Sequence, residues 1–382
     1  MKKIIYRNIA KDCIKNFLLT IFTIGIIIWV LQAVNYLDFV IEDGHGFMVY
    51  FNYTLLSLPK IFSRVFPFVI FIIFSYTFLK FEDKNELVIF WNFGIKKINF
   101  VNFFLKLSFC FMILSVILNS IIVPMSQDKA RSFLRTSDLD FFGNILKPRT
   151  FVDTIRNLTI YFEEKDENGL LKKIFLSDQS SLKKSQITVA KTARLSQVGT
   201  NKILTLYDGR TINTVDGKSS VFEFSKTNYN ISRYTFNTTT YKKTQETSTL
   251  DLIKCSLYIE NNKENPTLTK DPKIINCRLD NLKNIYKELY SRIVKPMYIV
   301  FLVSISLLFI LKSKNDHKYK TNKITIYILG FAFIIFLESS SKFITLSLTK
   351  NLFVSMLPII LISMIYLFFY KTLETKKNEN IH

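Results

Sequence analysis

The sequence predicts a membrane α-helical fold with six transmembrane helices and an inserted all-β domain. Three observations carry this. Six runs stay apolar over roughly one bilayer thickness. The middle of the chain, residues 126–282, has no such run and reads as short alternating strands with turn signals between them. With six spans, the basic clusters of the N-terminal start, of the loops after spans two and four and of the tail all fall on the same side, the pattern of loops kept inside, and both termini lie inside too.

The first run, Phe17–Leu37, is uncharged and follows a basic helical start, MKKIIYRNIAKDCIK. At 1.5 Å per residue it covers about 30 Å, one hydrocarbon core. It leaves through Asp38, Glu42 and Asp43. It is too long for a cleavable signal and lacks a small-residue cleavage site. The second span, about Leu55–Phe81, carries Pro59, Lys60, Arg64 and Pro67 in its outer part, and the two prolines should bend it. A third span runs from about Phe100 to Val123, with Lys129, Arg131 and Arg135 just outside.

Strands are expected at 158–162, 170–176, 186–195, 202–207, 210–215, 219–224 and 231–236. Asp166–Gly169, Asp208–Gly209 and Asp216–Gly217 mark turns between them, Asp208–Gly209 being the strongest hairpin signal. This pattern suggests a sandwich or barrel. After a polar connector, a helix through Glu288 and Arg292 leads into span four at about Pro296–Leu311. Spans five (about Ile324–Leu346) and six (about Leu352–Tyr370) close the membrane part.

Between spans two and three, at about residues 82–97, sits FEDKNELVIFWNFGIKK. Acids at its start and lysines at its end suit a helix dipole, and Gly94 would end it. Its apolar surface, with Leu87, Phe90 and Trp91, belongs at a membrane interface or in another protein's groove.

Composition excludes more than it assigns. The 382 residues are 49% hydrophobic, with a mean hydropathy of +0.21 and a net charge of +21. The lysines cluster beside spans and no nucleic-acid motif accompanies them, so no nucleic acid partner is expected. No metal-ligand spacing, phosphate loop or catalytic set is present, so neither a cofactor nor an activity of its own is predicted. Lys60 and Arg64, four apart, share a helix face. They either present two cations to an anionic ligand or snorkel to the outer headgroups. Glu338, well inside span five, has Lys342 one turn later as its expected partner. Cys255 and Cys277 both lie on the outer side, where a disulfide is permitted, and spacing alone does not decide it.

Four stretches in chain order resemble the LptF/LptG permeases of lipopolysaccharide export. NELVIFWNFG (Asn85–Gly94) is similar to the family's coupling helix, with Glu86, Leu87, Val88 and Gly94 in place. LLSLPKIFSRVFP (Leu55–Pro67) resembles the second span. ELYSRIVKP (Glu288–Pro296) resembles the E-x-x-x-R-x-x-x-P approach to span four, in Glu288, Arg292 and Pro296. YFEEKDENGLLKKIFLSD (Tyr161–Asp178) resembles a strand–turn–strand of the periplasmic domain. The resemblance implies a bacterial inner-membrane permease subunit whose all-β periplasmic domain is jellyroll-like. It implies a second permease of the same family, an LptB-like ATPase dimer on the coupling helix, and LptC- and LptA-like bridge proteins. By position, Glu86 would contact the ATPase, and Lys60, Arg131 and Arg135 would meet the lipid's phosphates. Two features depart from the family: Asn35 where many members are basic, and aromatic residues in place of the alanine-rich coupling helix. Lys60 after Pro59 resembles LptG, whereas WVLQAVNYLDFV and the middle domain lean to LptF.

The domains expected are 1–125 (spans one to three), 126–282 (β domain and connector) and 283–382 (spans four to six). A mechanotransmitting or signalling membrane protein with a periplasmic sensor would share this topology without needing cations along a cavity. A membrane-embedded enzyme would need a site that the sequence lacks.

Overall fold

The computed structural model describes residues 2–37, 47–136, 148–155, 158–166, 169–181, 184–198, 201–215, 218–230, 242–261 and 277–379. By its internal contacts the chain divides into two units. One comprises Met1–Ala33, Thr54–Ala130 and Tyr241–His382, and the other Val34–Tyr53 and Arg131–Thr240.

Among the described residues, six helices are long and apolar enough to cross a membrane: Lys3–Asn35, Phe47–Asp83, Lys97–Leu134, Leu279–Leu311, Tyr319–Phe343 and Leu348–Leu373. The apolar windows of the second and fourth are 56% and 67% buried, against 17% and 11% for the first and sixth. Spans two and four therefore form the centre of the bundle, and spans one and six turn most of their surface outward. Phenylalanine fills that centre. Phe74, Phe78, Phe100 and Phe104 are fully buried and meet edge-on or tilted, with ring centroids 4.7–6.4 Å apart, rather than face to face, as aromatic quadrupoles favour.

Proline shapes three spans. Span two breaks at Ser57, whose hydroxyl donates to the Thr54 carbonyl at 2.6 Å. Pro59 falls in the first turn of the next segment, Leu58–Asp83, where a missing N–H leaves nothing unpaired. Span three widens to a π turn at Leu118–Ile122 just before Pro124. Span four does the same at Tyr290–Val294 before Pro296. In both, the proline cannot donate to the carbonyl four residues back and its ring pushes that carbonyl aside, so the helix opens. The freed carbonyl of Ser120 is taken by the Thr249 hydroxyl at 2.5 Å.

The second unit holds an antiparallel sheet in the order β1 (Val152–Ile155), β2 (Leu158–Tyr161), β4 (Leu170–Ser181), β5 (Lys184–Val198), β6 (Asn201–Val215) and β7 (Lys218–Asn230). A short β3 (Glu164–Lys165) pairs with β4. The successive pairings along this order make a meander. One face buries Leu158, Ile160, Phe162, Leu171, Ile174, Leu176, Ala190, Ala193, Leu204 and Leu206. The turn expected after Asp166 forms, with Gly169 donating to the Asp166 carbonyl at 2.9 Å.

Asp208–Gly209 is not a hairpin, which corrects the strand count. The runs 202–207 and 210–215 are one strand, β6, with a kink at Asp208, where φ is +49°. A Cβ on Gly209 would stand 2.4 Å from the Val189 carbonyl oxygen of β5, so the glycine serves a close backbone approach rather than a chain reversal. β1 was not anticipated, and the run 231–236 lies outside the described residues. The connector, expected over Asn261 to Lys283, begins earlier, at residue 242, and holds a helix that was not anticipated, Thr249–Asn261, started by Ser248 accepting from the Asp251 N–H at 3.1 Å. Its Cys255 is disulfide-bonded to Cys277, which settles the pairing that spacing left open.

Candidate functional site

Two regions of the helical unit carry the residues that sequence reasoning singled out. The first is the link between spans two and three. The helix expected over residues 82–97 is shorter, Glu86–Asn92, because Asn85 adopts a left-handed conformation (φ +57°) and separates it from span two. Glu82 and Asp83 therefore end span two instead of opening this helix. Gly94, at φ +72°, closes it, with the Ile95 N–H donating to the Phe90 carbonyl at 3.1 Å.

This helix has two unlike faces. Leu87 is 2% exposed, Phe90 stacks edge-on with Phe81, Trp91 stands against Phe100 at 5.5 Å, and Lys97 lies over the Trp91 ring at 5.6 Å. Trp91 thus packs on the chain's own bundle. Val88, Ile89 and Phe93, by contrast, are 47%, 47% and 59% exposed. Glu86 is half-buried at the first turn. Sequence reasoning read Glu82 as an acid at the start of this helix; it is instead a buried carboxylate that accepts the Lys314 N–H and so clamps the loop between spans four and five to the end of span two.

The second region lies at the opposite end of span two. Lys60 donates to Gln127 Oε1 at 3.3 Å and to Gln245 Oε1 at 3.4 Å. Its charged surroundings are Arg64, Glu288, Glu246 and Lys243. Arg64 is exposed. Arg131 is half-buried on the helix Val123–Thr136 and belongs to the other unit. Arg135 is on the same helix, with its side chain outside the described residues.

Arg292 is the centre of this end. Its guanidinium is 2% exposed and satisfied from four directions. Nε donates to Glu288 Oε1 at 3.0 Å, Nη1 to the Thr247 carbonyl and to Thr249 Oγ1 at 2.9 Å each, and Nη2 to the Gln245 carbonyl at 3.0 Å. The spacing of Glu288 and Arg292, one helical turn, makes the ion pair. The contacts to residues 245–249 have no sequence signal. Pro296, which follows Arg292 one turn later in the chain, is buried. Beside this network opens a cleft of about 710 Å³, lined by Pro124, Met125, Leu250 and Thr249 and by the ion pair Asp128–Lys242 at 2.6 Å.

Glu338 does not pair with Lys342. Its carboxylate meets Lys295 of span four at 3.1 Å. The helix of span five ends at Ser340 and tightens into a three-residue turn, Ser341–Phe343, so Lys342 leaves the helical face that i,i+4 spacing assumed. Among the described residues no group of His, Cys, Asp or Glu could hold a metal.

The family model described as lipopolysaccharide export system permease LptF/LptG matches residues 7–372 of the 382. A search of curated proteins returned no match.

Proposed function

This chain belongs to the LptF/LptG family of lipopolysaccharide export permeases, and from that premise we propose that it is one half of a paired permease driven by a separate ATPase. It is a multi-pass inner-membrane protein, and its work is to take lipopolysaccharide out of that membrane toward a periplasmic bridge, a step in building the outer membrane. Both termini and the helix Glu86–Asn92 lie in the cytoplasm, and the sheet lies in the periplasm as the jellyroll-like half of the relay. A second LptF/LptG-type chain completes the cavity. Of the two types, WVLQAVNYLDFV favours LptF.

The two-faced helix Glu86–Asn92 carries this reading. Leu87, Phe90 and Trp91 fasten it to spans two and three, while Val88, Ile89 and Phe93 offer an apolar surface to a groove, with Glu86 available for a charged contact. An LptB-like ATPase dimer that closes on this surface moves spans two and three directly. No phosphate loop occurs in the chain, in keeping with hydrolysis by a partner. At the other end, Lys60 and Arg64 supply cations for headgroup phosphates, with Arg131 and Arg135 as further cations for the same charge. Among the described residues β7 is the last strand of the sheet, and with Val221 and Phe222 60% and 58% exposed it suits strand addition by an LptC-like and then an LptA-like bridge protein.

The test is affinity purification of the chain from its own cells in mild detergent. A second six-span chain and a nucleotide-binding subunit should co-purify in fixed ratio. Recovery of the chain without either would overturn the assignment as half of a driven pair.

A further inference from the structure

We infer that Gln127 and Gln245 are positioning residues for Lys60, holding its ammonium in place without cancelling its charge so that it stays available to a phosphate-bearing lipid headgroup. The inference rests on the reading of Lys60 as a headgroup ligand and says how this chain prepares it.

An ammonium has three N–H donors. Two are directed at the amide oxygens of Gln127 and Gln245, at 3.3 and 3.4 Å, and one is left over. Among the described residues no carboxylate makes an ion pair with Lys60. The acids around it are engaged elsewhere. Glu288 is held by Arg292 Nε at 3.0 Å, and the Glu246 carboxylate accepts the Lys243 N–H at 3.1 Å. Gln245 is itself anchored, its carbonyl accepting from Arg292 Nη2 at 3.0 Å. The two glutamines approach from different segments, one on the helix after the Leu118–Ile122 turn and one in the connector, so together they restrict a side chain with four rotatable bonds.

The choice of amide is what matters. A carboxylate at either position would pair with Lys60 and compete with phosphate for it. An apolar side chain would leave the lysine free to swing toward the bilayer headgroups, the fate of an unsupported cation near a span's end. An amide oxygen does neither.

The experiment uses the intact purified complex in nanodiscs with two probes, lipid A bearing both phosphates and its dephosphorylated form. Gln127→Glu and Gln245→Glu are isosteric, and each alone carries the test if the double variant assembles poorly. We expect each to weaken binding of the phosphorylated probe by about tenfold while the dephosphorylated probe binds as before. Lys60→Met should reduce the preference for phosphate about tenfold, the remainder resting on Arg64, Arg131 and Arg135. A preference reduced in Lys60→Met but intact in both glutamate variants would overturn the positioning role. A preference undiminished in Lys60→Met would overturn the reading of Lys60 as a headgroup ligand, and this inference with it.

Discussion

Replacing Arg292 with Met keeps an unbranched apolar stem and removes a guanidinium bonded at 3.0, 2.9, 2.9 and 3.0 Å. The carbonyls of Gln245 and Thr247 then lose a charged donor at a site where the arginine was 2% exposed, so water does not replace it without opening the connector. Each such orphaned acceptor costs about 1–3 kcal/mol. Glu288, 24% exposed, keeps some access to solvent and adds less. Together they come to about 3–5 kcal/mol, the usual range for breaking one side of a buried charged network. The loss falls on residues 244–249, so local opening should report it. Amide hydrogen exchange over that segment should accelerate at least a hundredfold in Arg292→Met, since about 1.4 kcal/mol corresponds to tenfold. In Glu288→Gln, which keeps the contacts to the connector, the acceleration should be about tenfold or less. An Arg292→Met variant whose exchange there stays within threefold of the parent would show that the connector is held by something else.

The helix Glu86–Asn92 should separate binding from packing: Ile89→Ala with Phe93→Ala should reduce recovery of the ATPase about thirtyfold, as loss of apolar anchors worth ~2 kcal/mol does, whereas Trp91→Ala should lower the thermal stability of the free permease first. The reverse assignment, measured by co-purification and by thermal unfolding, would refute the two-faced reading. Topology is checked by cysteine labelling of intact cells in a background lacking Cys110: a site introduced at Lys218 should react with an impermeant reagent and one at Asp316 should not. Gly209→Val should weaken the sheet by about 1–3 kcal/mol, because its Cβ would meet the Val189 carbonyl at 2.4 Å. Proteolysis within β5–β7 that is no faster than in the parent would show that the kink tolerates a side chain.

The spans were legible because a run of some twenty apolar residues has few alternatives in a chain of this length. Cys255–Cys277 was legible as an option, and the fold chose between a bridge and two thiols. Local turn chemistry misled twice, for related reasons. Asp208–Gly209 has the composition of a hairpin, but strand β5 passes so close that the glycine is used against a neighbouring carbonyl. Asn85 looks like a helix interior residue, yet its left-handed backbone divides one expected helix into the end of span two and a separate short helix. Gln127 and Gln245 were not legible at all. They are 67 and 185 residues from Lys60 in sequence, and glutamine carries no pattern of its own until the segments meet. The same holds for the partner of Glu82, a backbone N–H 232 residues away, though Glu82 itself was read as a helix-start acid.

The π turn at Leu118–Ile122 has a consequence for how span three presents its side chains. A π turn is an α-helix that has absorbed one additional residue, and one residue is about 100° of rotation. Everything after it is out of phase with everything before. A helical wheel drawn from Lys97 onward would point Gln127 about a quarter-turn away from where it sits, and Lys60 would face a different residue. The span is thus written in two frames, one facing the phenylalanine core and one facing the lysine, with Pro124 marking the splice. Deleting a single residue at the turn would leave length, hydropathy and composition nearly unchanged and still bring a different set of side chains to the rim.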